Sequence, residues 1–366
     1  MSYRNNKLNI AKQIRRMYAL TTVGYFSIAG ASWAALLALR GFSILEIGML
    51  ESIFHIVSFT FEIPSGVVAD VFGRKKTLVL SQVISCISCL LMILSGDFIT
   101  VAVAIGFNAF SYNLASGTRE ALAYDSLKQA GNEDKYNTFA STEMMLYRIT
   151  NSTATLLVGV ALRIGYKRAY AIDVVFNVLA LFIALSLVEA EYKAEKKGNM
   201  TDQISNVIAE SIGFLKKNKH GRDIIIVNAL IGAIATLLLF FLQAKLPQAG
   251  LDELLLGPAL FVMGMGAALG SKMVSFFPKS RYRTLLIMSA IGVSIALGTS
   301  LSGIPILMIA GGFIGAFADD FIEVRTDVIL NEIIPSEQRA TLVSVSSFVF
   351  SVVMIILSTL LGYIMN

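Results

Sequence analysis

Charge is scarce in this chain of 366 residues. Asp, Glu, Lys and Arg together supply 15% of the sequence, whereas hydrophobic residues supply 55%. Soluble domains carry about 25% charged residues, so this composition excludes an ordinary soluble domain. Six prolines and 28 glycines also exclude a fibrous or low-complexity chain. The net charge of +5 would suggest a nucleic-acid partner in a soluble protein. In a chain this apolar, membrane orientation explains the basic residues better, and we expect no nucleic-acid partner.

Cysteine is equally rare. The only two cysteines, Cys86 and Cys89, form a C-x-x-C inside an apolar run. A redox motif needs a strand–helix setting and a structural zinc site needs more ligands, and neither is present in the sequence. We interpret both cysteines as small membrane-embedded residues. The sequence also lacks a nucleophile–base constellation and a phosphate-binding loop, so we predict a non-enzyme without metal or cofactor.

Long apolar runs dominate the chain. A helix needs about 20 mostly apolar residues to cross a membrane. Short connections between such runs are typical of antiparallel neighbours in a helix bundle. We predict eleven spans, at about 17–39, 44–70, 76–95, 99–127, 138–162, 168–188, 223–246, 253–277, 284–302, 304–333 and 338–364.

The distribution of basic residues gives the orientation of these spans. Placing the N-terminus in the cytoplasm puts 21 Lys and Arg residues in inside segments and five in outside segments, with four inside spans. Cytoplasmic loops of membrane proteins are enriched in Lys and Arg, so this bias predicts a cytoplasmic N-terminus. The first span lacks a small-residue cleavage site, so we interpret it as a retained helix. With eleven spans, the C-terminus is predicted to lie outside.

One long polar segment divides the chain into three parts. We predict an N-terminal bundle of six helices at 1–188, a cytoplasmic linker at 189–222 and a C-terminal bundle of five helices at 223–366. Two bundles joined by a linker are typical of transporters built from repeats. Within the linker, five apolar residues at helical spacing predict an amphipathic helix, either interfacial or solvated. They are Ile204, Val207, Ile208, Ile212 and Leu215.

A charged strip between predicted spans 2 and 3 carries a family resemblance. It reads Gly66-x-x-x-Asp70-x-x-Gly73-Arg74-Lys75-Lys76. This pattern resembles the signature of the loop between helices 2 and 3 in the major facilitator superfamily. Four short sequence segments, at 51–55, 61–66, 121–127 and 335–341, resemble the bacterial drug-efflux-like branch of that superfamily. The resemblance implies an all-α integral membrane fold of two helix bundles in the bacterial inner (plasma) membrane.

Two features depart from that resemblance. Predicted span 5 lacks the Gly-Pro pair that marks many drug/proton antiporters. The superfamily has twelve helices, whereas eleven are predicted here, so helix 12 is expected to be absent. We expect lipid or a protein partner at the face it would cover.

The resemblance also implies a conformational latch. Asp70 would lie at the start of helix 11 near Ser336, where the helix dipole favours an anion. Arg74 would pair with Asp125 on helix 4, while Gly66 and Gly73 belong to the signature itself. The latch would hold the two halves together on the cytoplasmic side. The second half has a related segment after predicted span 8, but that segment has no aspartate.

Charged residues inside spans are costly and need a partner or a function. On span 2, Glu51, His55, Ser58 and Glu62 share one face, with the histidine near mid-membrane. Histidine changes charge near neutral pH, so we predict a proton site at His55, Glu51 and Glu62. A packed, hydrogen-bonded histidine is the alternative.

Two further spans carry candidate site residues. On span 4, Asn108, Tyr112 and Arg119 share a face, and the arginine is expected to pair with Glu62 or Glu143, or to bind an anionic substrate group. Span 10 carries an excess of acids, which can hold protons or attract cations. We predict proton or cation coupling at Asp319 and Glu323, and a substrate cavity lined by Tyr25, Trp33, Asn108, Tyr112, Arg119, Phe240 and Asp320.

These features predict a secondary active transporter that works by alternating access. We expect a proton gradient to drive export of small amphipathic molecules, including cationic ones. Proton-coupled nutrient uptake is the alternative transporter function. A lipid-translocating protein, or a receptor-like protein that transports nothing, is the alternative from another class.

Overall fold

The computed structural model of the protein describes residues 9–190, 209, 213, 214, 216, 218–277, 280–333 and 339–366. All regular secondary structure in these ranges is helical. The five residues that predict the linker helix lie outside the described residues, and so does Ser336.

The described residues before the linker form ten α-helices. They are α1 (Ile10–Gly24), α2 (Ile28–Ala31), α3 (Trp33–Leu39), α4 (Ile44–Phe72), α5 (Arg74–Leu94), α6 (Phe98–Ala115), α7 (Thr118–Gln129), α8 (Tyr136–Leu156), α9 (Val158–Ile164) and α10 (Tyr166–Ser186).

Five long helices follow after the linker, one for each span predicted there. They are α11 (Lys219–Gln248), α12 (Glu253–Met273), α13 (Tyr282–Ser300), α14 (Pro305–Ile333) and α15 (Arg339–Met365). Within the described part of the chain, nine helical segments are long and apolar enough to cross a membrane. The segments α1–α3 and α8–α9 are not among them, because the first is broken twice and the second is rich in polar residues.

Three predicted spans are broken rather than continuous. Span 1 breaks between α1 and α2 and again at Ser32, span 4 breaks at Ser116-Gly117, and span 5 breaks at Leu157. Gly117 has a φ of +71°, a conformation that side-chain-bearing residues rarely adopt. The sequence periodicity runs through all four breaks, which is why it predicts three single helices.

Helix starts follow local signals in the sequence. Ser43 and Glu46 form a capping box before α4, with the Ser43 N–H donating to the Glu46 carboxylate at 2.8 Å. Asp97 caps α6 by accepting a hydrogen bond from the backbone N–H of Thr100 at 2.8 Å. Such caps satisfy N–H groups that have no partner inside the helix.

Contacts between Cα atoms divide the chain into two compact units. Unit 1 comprises the described residues of Met1–Ala31, Thr60–Ala154 and Tyr166–Gln203, and unit 2 those of Ser32–Phe59, Thr155–Gly165 and Ile204–Asn366. These units are groups of residues in mutual contact. The predicted division of the sequence into two bundles and a linker, at 188 and 222, is a different kind of boundary and stays a prediction.

Unit 1 packs α1, α5, α7 and α10 around an apolar core. Met17, Leu20, Leu78 and Leu122 are each at most 2% exposed there. Burying such side chains contributes about 1.5–3 kcal/mol each relative to leaving them in water, and less relative to lipid. Packing in this unit therefore depends on close fit as well as on burial.

Unit 2 uses small residues to bring helices together. Gly266 and Gly270 of α12 lie against the backbone of Phe313 and Phe317 in α14, and a Cβ atom at either glycine would overlap the facing carbonyl oxygen. The G-x-x-x-G spacing predicts this close approach. In the same unit, Gly48 of α4 packs against the backbone of α15.

Candidate functional site

A polar cavity of about 300 Å³ lies inside unit 1. It is bounded by α1, α5, α6, α7 and α10 and by the break after α1. Most of its lining side chains carry hydroxyl, amide or charged groups, which is typical of a site for a small polar ligand. The polar lining residues are Tyr25, Ser27, Ser81, Gln82, Ser85, Asn108, Ser111, Tyr112, Ser116, Arg119, Glu120 and Asn177.

Four of the predicted substrate-cavity residues line this cavity. They are Tyr25, Asn108, Tyr112 and Arg119. Two more predicted cavity residues meet in unit 2, where the rings of Trp33 and Phe240 pack edge to face with centroids 5.5 Å apart. The seventh, Asp320, lies on α14 in the same unit.

A buried ion pair lies at the cytoplasmic end of the cavity by the predicted orientation. The Arg119 Nε atom is 2.7 Å from Oε1 of Glu143, and both residues are less than 10% exposed. Thr21 donates a hydrogen bond of 2.8 Å to the same carboxylate oxygen. The Arg119 Nη2 group donates to the Tyr25 hydroxyl at 2.7 Å. Glu143, one of the two acids expected to pair with Arg119, is therefore its buried partner.

This cluster has an electrostatic consequence. Removing either charge would leave the other buried and uncompensated, which typically costs about 3–5 kcal/mol. A second acid, Glu120, lies 3.7 Å from the arginine and is 43% exposed at its side chain. The guanidinium thus lies between one buried carboxylate and one that reaches solvent.

Two buried acceptor atoms in the cavity wall lack a hydrogen-bond donor among the described residues. They are Oε1 of Gln82 and Oε2 of Glu120. Many of the wall hydroxyls already donate internally, as Ser85 does to Oδ1 of Asn177 at 3.0 Å. A ligand or water in the cavity would therefore be bound chiefly by its own donor groups.

The predicted face of α4 is divided between the two units. In unit 2, Nε2 of His55 lies 3.3 Å from Oε1 of Glu51, and the imidazole contacts the ring of Phe350 in α15. Nδ1 of His55 is buried without a hydrogen bond to any described residue. Glu62 lies in unit 1 and is exposed. The structure therefore joins His55 to Glu51 at a packed helix seam, and their role in coupling stays a prediction.

The acids of α14 lie in unit 2. Asp319 is packed over Gly232 of α11, because a Cβ atom there would be 3.3 Å from Oδ1 of Asp319. Asp320 and Glu323 each take part in interactions within the protein. Gly232 thus leaves room for the Asp319 carboxylate, and the coupling roles of Asp319 and Glu323 stay predictions.

The charged strip between α4 and α5 is held by one ion pair within unit 1 and by a carboxylate cap on α5. Gly73 has a φ of +98° and turns the chain, while Gly66 and Asp70 lie on the last two turns of α4. Arg74 pairs with Asp125 of α7. The predicted contact of Asp70 with Ser336 concerns a residue outside the described part of the chain.

Two buried or capping carboxylates escaped prediction. Asp173 of α10, 1% exposed, accepts hydrogen bonds from the backbone N–H groups of Ile28, Ala29 and Gly30 at the break after α1. Glu189 caps α5 by accepting from the Arg74 N–H at 2.8 Å. Neither could be found from local sequence, since the partners are more than 100 positions away.

Together the fold and the cavity define a polytopic helical membrane protein with a polar interior site. A profile of the major facilitator superfamily matches residues 17–281. Because this match covers most of the chain, the protein belongs to the major facilitator superfamily and is a transmembrane transporter of that class.

Relatives and solved structures agree with this assignment. The uncharacterized MFS-type transporter YxaM of Bacillus subtilis (strain 168) is 24% identical over 348 residues, which cover 91% of this chain and 84% of YxaM. The nucleoside transporter NupG has a TM-score of 0.73 at 18% identity, covering 97% of this chain and 91% of NupG. A D-xylose-proton symporter has a TM-score of 0.68 at 13% identity, covering 96% of this chain and 90% of the symporter. At these identities the structural likeness shows the fold alone.

Proposed function

We propose that this transporter couples proton movement to the export of small amphipathic molecules across the bacterial inner membrane. The single observation that carries the proposal is the buried Arg119–Glu143 ion pair beside the polar cavity of unit 1. A buried carboxylate paired with a guanidinium can bind a proton only if the ion pair is weakened. Proton binding and rearrangement of the site are therefore linked.

The proposed cycle uses groups that are already in contact. When Glu143 takes up a proton, its attraction for Arg119 is lost, while Thr21 can still hydrogen bond to it. The guanidinium then turns toward Glu120 or toward a ligand in the cavity. Release of the proton restores the pair. Each proton thus changes the charge that the cavity presents, and this change drives alternating access.

Transport and proton coupling can be tested separately in proteoliposomes. A panel of fluorescent probes would include cationic ethidium, neutral N-phenyl-1-naphthylamine and anionic 8-anilinonaphthalene-1-sulfonate. We expect wild-type protein to move at least one probe when a proton gradient is imposed. Glu143→Gln should abolish gradient-driven accumulation but retain probe exchange at equal concentrations, because exchange needs no net proton movement.

The matched control is Glu133→Gln, which makes the same change at an exposed residue outside the spans. It should behave as wild type. Equal gradient-driven accumulation by wild type and Glu143→Gln would contradict the coupling role of the buried pair. Insensitivity of the wild type to collapse of the proton gradient would contradict proton coupling altogether.

Proton-coupled uptake is the second candidate, and the polar wall of the cavity favours it. Hydroxyl and amide groups suit a hydrophilic substrate better than an apolar one. The likeness to a nucleoside transporter and to a D-xylose-proton symporter is consistent with such a function. Uptake predicts accumulation on the side to which protons flow, whereas export predicts accumulation on the opposite side, so the direction of probe movement distinguishes them.

A further inference from the structure

One face of α8 differs from the other outward faces of unit 1. Ser141, Met144, Arg148 and Asn151 follow one another at intervals of three or four residues, Met145 lies beside them, and all five are exposed. They therefore form one continuous face, which we call the Arg148 face. By contrast, the exposed large residues of α10 beyond its first turn are apolar, and include Val175 at 58% and Phe182 at 64%.

Arg148 lies deep in the predicted span. It is 12 residues from the start of the α8–α9 segment, or about 18 Å along the helix. The hydrocarbon core of a bilayer is about 30 Å thick, so this is near its middle. The neighbouring Tyr147 packs edge to face on Tyr25, which lines the polar cavity, with centroids 4.6 Å apart. The arginine is thus at the depth of that cavity.

The Arg148 guanidinium is exposed and has no ion pair or hydrogen bond with any residue that the structure describes. An unpaired arginine at mid-membrane is not stable against lipid tails, so this face must border water. The composition of α8 agrees, because it is too polar to count among the apolar spans. Arg119, in comparison, is buried and already paired.

We propose that Arg148 recognises an anionic group on the transported molecule, and that Met144 and Met145 contact its apolar part. The substrates would then be amphipathic organic anions, such as carboxylates. This proposal deepens the transport function proposed above and rests on it. Guanidinium binds carboxylate through paired charged hydrogen bonds, and methionines adapt to apolar groups of varied shape.

The acids of α14 do not favour a cationic substrate to the same degree. Asp320, Glu323 and Asp327 each interact with other groups of the protein. A substrate cation would have to displace those interactions, whereas an anion at Arg148 displaces only water.

The first test asks whether position 148 borders water. In a background with Cys86→Ser and Cys89→Ser, Arg148→Cys and the control Val175→Cys would be treated with the anionic reagent methanethiosulfonate ethylsulfonate. Thiols react as thiolates, which form in water and not in lipid. We expect Arg148→Cys to be modified at least about tenfold faster than Val175→Cys. Equal or slower modification of Arg148→Cys would overturn the proposal.

The second test measures charge recognition by purified protein. Four arylalkyl carboxylates, among them 4-phenylbutyrate and 1-naphthylacetate, would each be compared with its primary amide by thermal stabilisation. Wild type should bind carboxylates more tightly, and Arg148→Gln should weaken carboxylate binding about 10- to 100-fold with little effect on amides. Arg148→Lys should lie between them, and Arg168→Gln, an exposed arginine at the start of α10, should match wild type.

The outcomes separate the two proposals. Absence of carboxylate preference in the wild type, or an unchanged preference in Arg148→Gln, would overturn anion recognition even if neutral probes are transported. Water access and Arg148-dependent carboxylate binding without gradient-driven flux would support the anion site while contradicting the proposed transport function.

Discussion

Asp173 offers the sharpest test of how this fold is held together. It is buried in α10, and its carboxylate accepts hydrogen bonds from three successive backbone N–H groups and from the hydroxyl of Ser27. The N–H distances are 2.8, 3.1 and 3.1 Å for Ile28, Ala29 and Gly30. One side chain therefore accepts hydrogen bonds from the backbone N–H groups at the start of α2, where the first span breaks.

The cost of removing this carboxylate can be estimated from those bonds. A buried N–H left without a partner costs about 1–3 kcal/mol. Ser27 also lines the polar cavity, so water can reach the site and the lower value applies. Asp173→Ala should thus destabilise the protein by about 3 kcal/mol. Asp173→Asn keeps one acceptor oxygen and should lose about half of that.

Thermal unfolding in detergent measures the effect. At about 2 °C per kcal/mol for a large domain, Asp173→Ala should melt about 6 °C below wild type. Asp97→Ala is the matched control, since it removes an exposed capping carboxylate from α6 and should produce a smaller shift. A melting temperature of Asp173→Ala within about 1 °C of wild type would refute the reasoning.

Three further predictions follow from contacts within single units. Gly266→Ala should destabilise the protein by about 1–3 kcal/mol, because the added methyl group overlaps the backbone of α14. The control Gly264→Ala should be neutral or stabilising, because its methyl group meets no neighbour within 4 Å. Thermal unfolding of the two variants measures the difference. The backbone N–H of Thr100 lowers the pKa of the Asp97 carboxyl. The stabilising effect of this cap should therefore be present above the unfolded-state pKa and lost as pH falls below about 4, so melting curves of wild type and Asp97→Asn should converge there. Asp125→Asn should loosen the start of α5 by removing the ion-pair partner of its arginine, and hydrogen exchange of the first α5 turns should rise; unchanged protection would contradict this.

The local sequence determined much of the fold. Eleven apolar runs predicted eleven spans, and in the described residues nine helical segments are long and apolar enough to cross a membrane. The excess of basic residues in one set of loops predicted an orientation. The spacing of Ser43 and Glu46 is typical of a capping box, and the G-x-x-x-G spacing of Gly266 and Gly270 is typical of a close helix contact; the structure contains both. These features can be predicted from sequence because the residues that form each of them are close in sequence or lie on one face of a helix.

The site depended on long-range contacts that the sequence left open. Arg119 had two candidate acids in the sequence, and only the folded structure, which places its Nε atom 2.7 Å from Glu143, decided between them. The role of Asp173 required α10 to meet a break 145 positions earlier in the chain. A local sequence pattern cannot specify such pairs, because any buried carboxylate at a suitable depth could serve as the partner.

Arg148 shows the same division between sequence and structure. In the sequence it is one of four basic residues inside predicted spans, and the pattern around it indicated no role for it. Its difference in environment from Arg119 is visible in the folded protein, where Arg119 is enclosed by Glu143 and Tyr25 and Arg148 is exposed. The amino-acid sequence by itself determined which charged residues fall within the apolar runs. Tertiary packing decided which of them are paired inside the protein and which are exposed, because partners such as Arg119 and Glu143 come from different helices.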